Sequence, residues 1–286
     1  MRLQLISAAA LLAILGMGSL AAADDRQPEK DSAFNNLRAF GLTDDGRLVR
    51  FRTDAPERVR DVGVITGFTG MDYALVGIDF RVQDGKMYGV GNGGGVYTID
   101  TTTAQATFVN SLTVPLSGTR FGVDFNPAAD RLRIISDTGQ NLAHNVNANG
   151  VTVANGTLTY TAPPATPVPA LGVTAAAYTN NDLNQPTTGT TLFDLDTTLD
   201  QIVIQSPPGN GILVPTGQLG SNADADAGMD IYTRLSKGIA AENRAFATWS
   251  VSGKWAFYSI NLLTGSATRL GTFDDAVVDI ALPLDQ

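Results

Sequence analysis

Gly77-Ile78-Asp79-Phe80 returns as Gly122-Val123-Asp124-Phe125 and again as Gly228-Met229-Asp230-Ile231. A looser copy, Val278-Asp279-Ile280, lies near the C-terminus. Gly172-Val173-Thr174 fills the interval between the second and third copies, with Thr in place of Asp. The third residues stand at 79, 124, 174, 230 and 279, a period of 45–56 residues. Two anchors are followed by a polar turn into a second strand, Gln83–Tyr88 and Pro127–Leu132. Strands of the type aromatic–x–aliphatic–Asp/Asn recur at Tyr97–Asp100, Phe193–Asp196 and Tyr258–Asn261. A repeat of this length with four short strands per unit is the signature of a β-propeller. Five anchors predict five four-stranded blades. The last anchor carries only one strand, Ala276–Leu284, while the N-terminus supplies three, Leu37–Leu42, Arg47–Arg52 and Val59–Ile65. Pairing them completes a blade and closes the ring, which removes free sheet edges. Six blades, with one hidden between Thr174 and Asp230, and a two-sheet sandwich are the alternatives.

Composition agrees with an all-β chain. Of the 28 acidic residues only Glu29, Glu57 and Glu242 are Glu, and Lys is scarce, so surface-helix formers are nearly missing. Thr, Val, Gly, Asn and Asp, the residues of strands and tight turns, take their place. Residues 1–23 read as a cleavable signal peptide: Arg2, then an apolar run from Leu3 to Leu20, then Ala21-Ala22-Ala23 before Asp24. Residues 24–36 read as a flexible lead-in and 37–286 as one propeller domain. Export to the periplasm or the medium follows from that leader, with no membrane insertion after its removal. The proline-rich stretch Thr161–Ala170 reads as a long inter-strand loop. A net charge of -9, with no run of basic residues, argues against nucleic acid. The absence of Cys excludes disulfides, thiol nucleophiles and cysteine-based metal sites, and a single histidine, His144, excludes sites needing two imidazoles.

Three phrases also carry a family resemblance: Leu75–Phe80 (LVGIDF), Phe121–Asn141 (FGVDFNPAADRLRIISDTGQN) and Leu262–Phe273 (LLTGSATRLGTF). Together they resemble a bacterial family of exported, propeller-like proteins catalogued only as a domain of unknown function. The resemblance spans nearly the whole chain after the leader. It implies the fold and no activity.

The repeated Asp is the sharpest chemical feature. The first strand of a blade lines the central channel, so Asp79, Asp124, Asp230 and Asp279 are expected at one height around the axis, with Thr174 as the fifth member. Carboxylates that close cannot all stay ionised without compensation. Either each bonds backbone N–H groups of its own or the next blade, or the ring holds a cation, for which Ca2+ fits the oxygen ligands. Asp224 and Asp226, in Asn222–Gly228, offer a weaker acidic cluster. A helix-loop-helix calcium motif fails there, because Ala227 and Thr233 stand where Gly and Glu are required. Gly89–Gly94 matches GxGxxG but lies between strands, so it reads as a hairpin. His144 reads as a structural strand or loop residue, and Trp249 and Trp255 as packing between blades. No G-x-S-x-G elbow is present.

Three functions fit these features. The first is a binding or scaffold propeller for a small molecule, glycan or protein, with Ca2+ in the channel. The second is a metal-assisted enzyme cleaving carbohydrates or lactones with Asp at the channel mouth, a reading by fold analogy. The third is a surface or matrix component without a discrete site.

Overall fold

The computed structural model describes residue 34 and residues 36–147, 150–162 and 166–285. The residues read as signal peptide, and most of those read as lead-in, lie outside that set. Phe34 and Asn36 are described: the Phe34 ring is buried, edge-on to Tyr232 and capped by the Arg244 guanidinium.

The chain opens with β1 (Arg38–Thr43), β2 (Arg47–Arg52) and β3 (Ala55–Val64). Blade 2 follows as β4 (Leu75–Phe80), β5 (Met87–Gly91), β6 (Gly95–Ile99) and β7 (Ala106–Ser111). Blade 3 is β8 (Phe121–Asn126), β9 (Arg131–Ser136), β10 (Asn141–His144) and β11 (Thr152–Ala154). A hairpin, β12 (Thr159–Ala162) and β13 (Thr166–Pro169), precedes blade 4, which is β14 (Val173–Tyr178), β15 (Leu192–Asp196), β16 (Gln201–Gln205) and β17 (Ile212–Gln218). Blade 5 is β18 (Ala227–Ser236), β19 (Ile239–Val251), β20 (Lys254–Ile260) and β21 (Ala267–Thr272). The last strand, β22 (Val277–Ala281), pairs with β1 and completes blade 1 in the order β22-β1-β2-β3. The result is a five-bladed propeller, with its ring closed by both ends of the chain as the repeat predicts.

One expectation about a loop is corrected. The proline-rich stretch forms a hairpin rather than a loop, and β12 adds parallel to β17, widening blade 4 to six strands. Pro167 and Pro169 sit in β13, the outermost strand, where a missing N–H breaks no ladder.

The apolar core is divided among the blade interfaces. Phe40, Leu42 and Leu48 of blade 1 pack on Leu75, Ile78 and Phe80 of blade 2. Equivalent clusters join blades 2 and 3 around Phe125, blades 3 and 4 around Tyr178, blades 4 and 5 around Trp249, and blades 5 and 1 around Phe257. Trp249 is fully buried and stacks on Tyr258 at 3.6 Å. Trp255 is half-buried against the cluster joining blades 5 and 1. Both tryptophans therefore pack between blades. The glycines of Gly89–Gly94 shape the β5–β6 hairpin, with Gly94 at φ +95.

Candidate functional site

The innermost strand of each blade faces the axis, and its register decides which side chains meet there. In β4, Leu75 pairs with Gly91 and Gly77 with Val90, which leaves Val76 as a bulge. The same bulge falls at Thr174 in β14 and at Val278 in β22. Three residues past the bulge stand Asp79 in blade 2, Ala177 in blade 4 and Ala281 in blade 1. Two expectations are thereby corrected. Thr174 is not the fifth member of the ring, because it is the bulge residue and Ala177 takes the slot. Asp279 is not level with the other aspartates, because it stands where Gly77 stands in blade 2, one pleat earlier. The corrected slots, 79, 124, 177, 230 and 281, are also more evenly spaced along the chain. Neighbouring glycines make room for Asp279: a Cβ on Gly228 would come 2.5 Å from its Oδ1, and one on Gly77 would come 3.2 Å from its Oδ2.

The level ring is therefore three carboxylates. Asp79, Asp124 and Asp230 are buried, and one oxygen of each lies within 4.8 Å of the others. Their hydrogen bonds follow one rule. Each accepts the N–H of the residue just past the slot in the next blade: Asp79 Oδ2 from Phe125 (2.7 Å), Asp124 Oδ1 from Tyr178 (3.0 Å) and Asp230 Oδ2 from Leu282 (2.5 Å). The two alanine slots cannot serve the blade that follows them, so there the N–H turns to its own aspartate. Phe80 donates to Asp79 Oδ1 (2.6 Å) and Ile231 to Asp230 Oδ1 (2.5 Å). Three carboxylates thus satisfy five buried backbone donors, one in each blade. Asp124 Oδ2 has no hydrogen-bond donor among the described residues.

Burial pushes the carboxyls of Asp79 and Asp124 well above their usual range; for Asp79 the charge of Asp230 adds to it, and for Asp124 the charge of Asp79. Burial raises Asp230 to about 6 and Asp279 well above the usual range, against backbone N–H bonds that pull both down. The charges acting on Asp79, Asp124 and Asp279 are those of other aspartates, and none of the four carboxyls takes part in a salt bridge among the described residues. Asp279 Oδ2 accepts the Ile78 N–H at 2.8 Å.

The other candidate residues are elsewhere. Asp224 accepts Ser250 Oγ (2.6 Å) and the Gly253 N–H (3.0 Å) in a hairpin of blade 5. Asp226 pairs with Arg120 at the channel mouth, where residues of blades 1, 2, 3 and 5 line a concavity of about 200 Å3. His144 is buried between Thr152 Oγ1 and Asn110 Oδ1, both at 2.9 Å, and burial lowers it to about 4. It ties blade 3 to blade 2, as its structural reading expects.

Two features escape sequence reasoning. Between blades 3 and 4, the Arg133 guanidinium is buried against Tyr178, Asn141 and Asn155, beside Asp194, which is raised by burial and whose two oxygens lack hydrogen-bond partners. On blade 1, Arg38, Arg50, Arg52, Arg58 and Arg60 line an open concavity of about 490 Å3. Those arginines form no run in the sequence; strand pairing gathers them. The alternation Arg47–Leu48–Val49–Arg50–Phe51–Arg52 is the signal that could have shown it.

The model of the family described as "Domain of unknown function (DUF4394)" matches residues 47–281, which include all five inner-strand slots. The chain belongs to that family. No curated protein matches the DUF4394 chain. Among solved structures it is similar to a Bacteroides thetaiotaomicron protein of unknown function (11% identity, 88% of this chain and 65% of that one, TM-score 0.45). It is similar also to Kuenenia stuttgartiensis hydrazine synthase (9% identity, 72% of this chain, TM-score 0.42), of whose chain it spans about half, 51%. A third is an auxiliary nutrient binding protein from Bacteroides ovatus (14% identity, 62% of this chain and 46% of that one, TM-score 0.38).

Proposed function

We propose that this chain is an exported binding or scaffold propeller whose axis is pinned by a divalent cation, calcium by donor type, held between Asp79, Asp124 and Asp230. One observation carries the cation: three buried carboxylates within 4.8 Å of one another, none of them in a salt bridge among the described residues. Protons or a cation compensate the charge that the backbone N–H bonds leave uncovered. Calcium accepts carboxylate oxygens and water in a flexible shell, and Asp124 Oδ2 is free to enter it. The export half of the reading rests on the sequence of residues 1–23. The binding half is supported by the arginine-lined concavity on blade 1. A carboxyl acting as acid, base or nucleophile must offer an oxygen to substrate. Asp79 and Asp230 instead commit both oxygens to backbone N–H groups, which favours a structural role over the enzymatic one.

Metal analysis of the purified protein, paired with thermal melts in chelator and in added calcium, tests the pin. A stoichiometric metal and a higher melting temperature in calcium are expected. A metal-free protein whose melting temperature ignores calcium would overturn the pin and leave protons as the compensating charge.

A further inference from the structure

The basic residues of blade 1 divide into two groups along a single strand. Arg47, at one end of β2, pairs with Asp45 (2.9 Å), Asp275 (2.8 Å) and Asp61 (3.8 Å). Arg50 and Arg52, toward the other end, pair with no carboxylate among the described residues. The ladder sets them opposite further arginines: Arg50 faces Arg60 across β3, and Arg52 faces Arg38 across β1. Like charges directly opposite across a ladder repel. The one acidic side chain lining the concavity is Asp54, and Glu57 approaches Arg58 at 3.7 Å from its rim. Arg52 also donates to the Asn36 carbonyl at 2.7 Å, which holds one guanidinium in place. Five of the chain's 19 basic residues are thus collected, exposed, on one concavity of a protein with net charge -9.

The geometry points to a binding site for a short polyanion. Guanidinium forks match sulfate, phosphate and carboxylate oxygens in pairs. Arg50 and Arg52 lie two residues apart on the same face of β2, about 7 Å at the rise of an extended strand, and their partners flank β2 on opposite sides, so the centres of the two cross-strand pairs are about 8 Å apart. The ligand therefore carries at least two anionic groups at about that separation, one for each arginine pair. A concavity of about 490 Å3 is of small-molecule size. This deepens the binding half of the proposed function by naming its ligand class, and it does not depend on a cation at the axis.

Calorimetric titration with sucrose octasulfate, with trigalacturonate and with inorganic sulfate tests it; the two oligo-anions separate sulfate from carboxylate chemistry. Sulfate esters hold divalent cations weakly, so the sulfated probe leaves the axis undisturbed, and the carboxylate probe is titrated in excess calcium so that it does not strip the axis. At least one oligo-anion is expected to bind about tenfold or more tightly than inorganic sulfate, with affinity falling as salt rises. The double variant Arg50→Gln/Arg60→Gln is expected to lose about tenfold in that affinity. Lys86→Gln, an exposed change on blade 2, should bind as the unaltered protein does. Melting temperatures of both variants verify that they are folded, and Arg52→Gln gives a second, single-site variant. Failure of both oligo-anions to bind, equal affinity for inorganic sulfate, or binding unaffected by the arginine changes would each overturn the site. A calcium-dependent melt that persists alongside such a failure would leave the axial pin standing.

Discussion

The axis and the flank of blade 1 hold like-charge clusters of opposite sign, and the molecule treats them in opposite ways. At the axis, Asp79, Asp124 and Asp230 are buried, tied to the backbone of the neighbouring blade, and shifted toward their protonated forms. On the flank, Arg38, Arg50, Arg52, Arg58 and Arg60 are exposed and nearly free of partners. A carboxylate can relieve crowding by taking a proton; a guanidinium cannot. A repeated acid can therefore be built into a core, whereas clustered arginines must stay in water and wait for an anion. The acidic cluster is hydrogen-bonded from blade to blade, and the basic one is the site proposed for an anion.

The largest break in that contrast is Asp79→Ala. It strips the acceptor from the N–H groups of Phe80 and Phe125, both buried, at about 1–3 kcal/mol each. A loss of about 2–6 kcal/mol in denaturant unfolding is expected. A loss no larger than that of an exposed substitution such as Lys86→Gln would show that the blade-to-blade bonds carry little.

Next in size is the pH response of metal-free protein. The axial carboxyls are raised in the folded state, so the stability they contribute is fully present below the usual carboxylate value of 3.8 and is lost as pH rises through about 6 for Asp230 and through the raised values of its neighbours. His144 acts in the opposite sense. Lowered to about 4, it contributes stability above its usual 6.5 that is lost as pH falls toward 4. Above about pH 6.5 His144 contributes in full, so on the approach to Asp230's value of about 6 the carboxylates act nearly alone, and melting temperature should climb as pH falls. Saturating calcium should flatten the climb; a flat profile without calcium would mean the axial groups are not raised.

A subtler probe is Asp124→Asn. The amide oxygen keeps the bond from the Tyr178 N–H, and the change removes one charge and the free oxygen. In metal-free protein at pH 8 it should stabilise by about 1–2 kcal/mol, roughly one carboxylate's share of the repulsion. It should also abolish the calcium-dependent rise in melting temperature. A variant that retained the full calcium response would place the cation elsewhere. The smallest expected effect is on the flank. Arg50→Gln removes half of a repelling pair and should raise stability at low salt by a few tenths of a kcal/mol, vanishing at high salt. A clear loss instead would show that Arg50 is held by its packing.

Much of this was legible in the repeat. The closing strand, the three N-terminal strands and the alternating aromatics of Tyr97, Phe193 and Tyr258 fall where the period puts them, because blade pairing is written in short apolar runs separated by turns. The site was legible in part. Asp79, Asp124 and Asp230 meet as their shared Gly-x-Asp spacing predicts, and the backbone bonds that are one of its two readings are present. Asp279 and Thr174 were misplaced, because a one-residue bulge at Thr174 and Val278 shifts the register without changing the apolar pattern. Asp224 and Asp226 lie near Asp230 in sequence, yet the β18 strand carries them away from the triad to a hairpin and to the channel mouth.

The amino-acid sequence alone pointed to five blades, with six as the alternative, and to the place where the ring closes, since hydrophobic periodicity and turn chemistry are local properties that recur with each unit; the five sheets decided the count. It also determined that an acid stands in four of the five inner strands. The tertiary structure decided which side chains are level at the axis, which backbone N–H groups they satisfy, and that five scattered arginines share one concavity. Those outcomes depend on register and on the packing of one blade against the next, and both arise between residues dozens of positions apart, where no local pattern reaches.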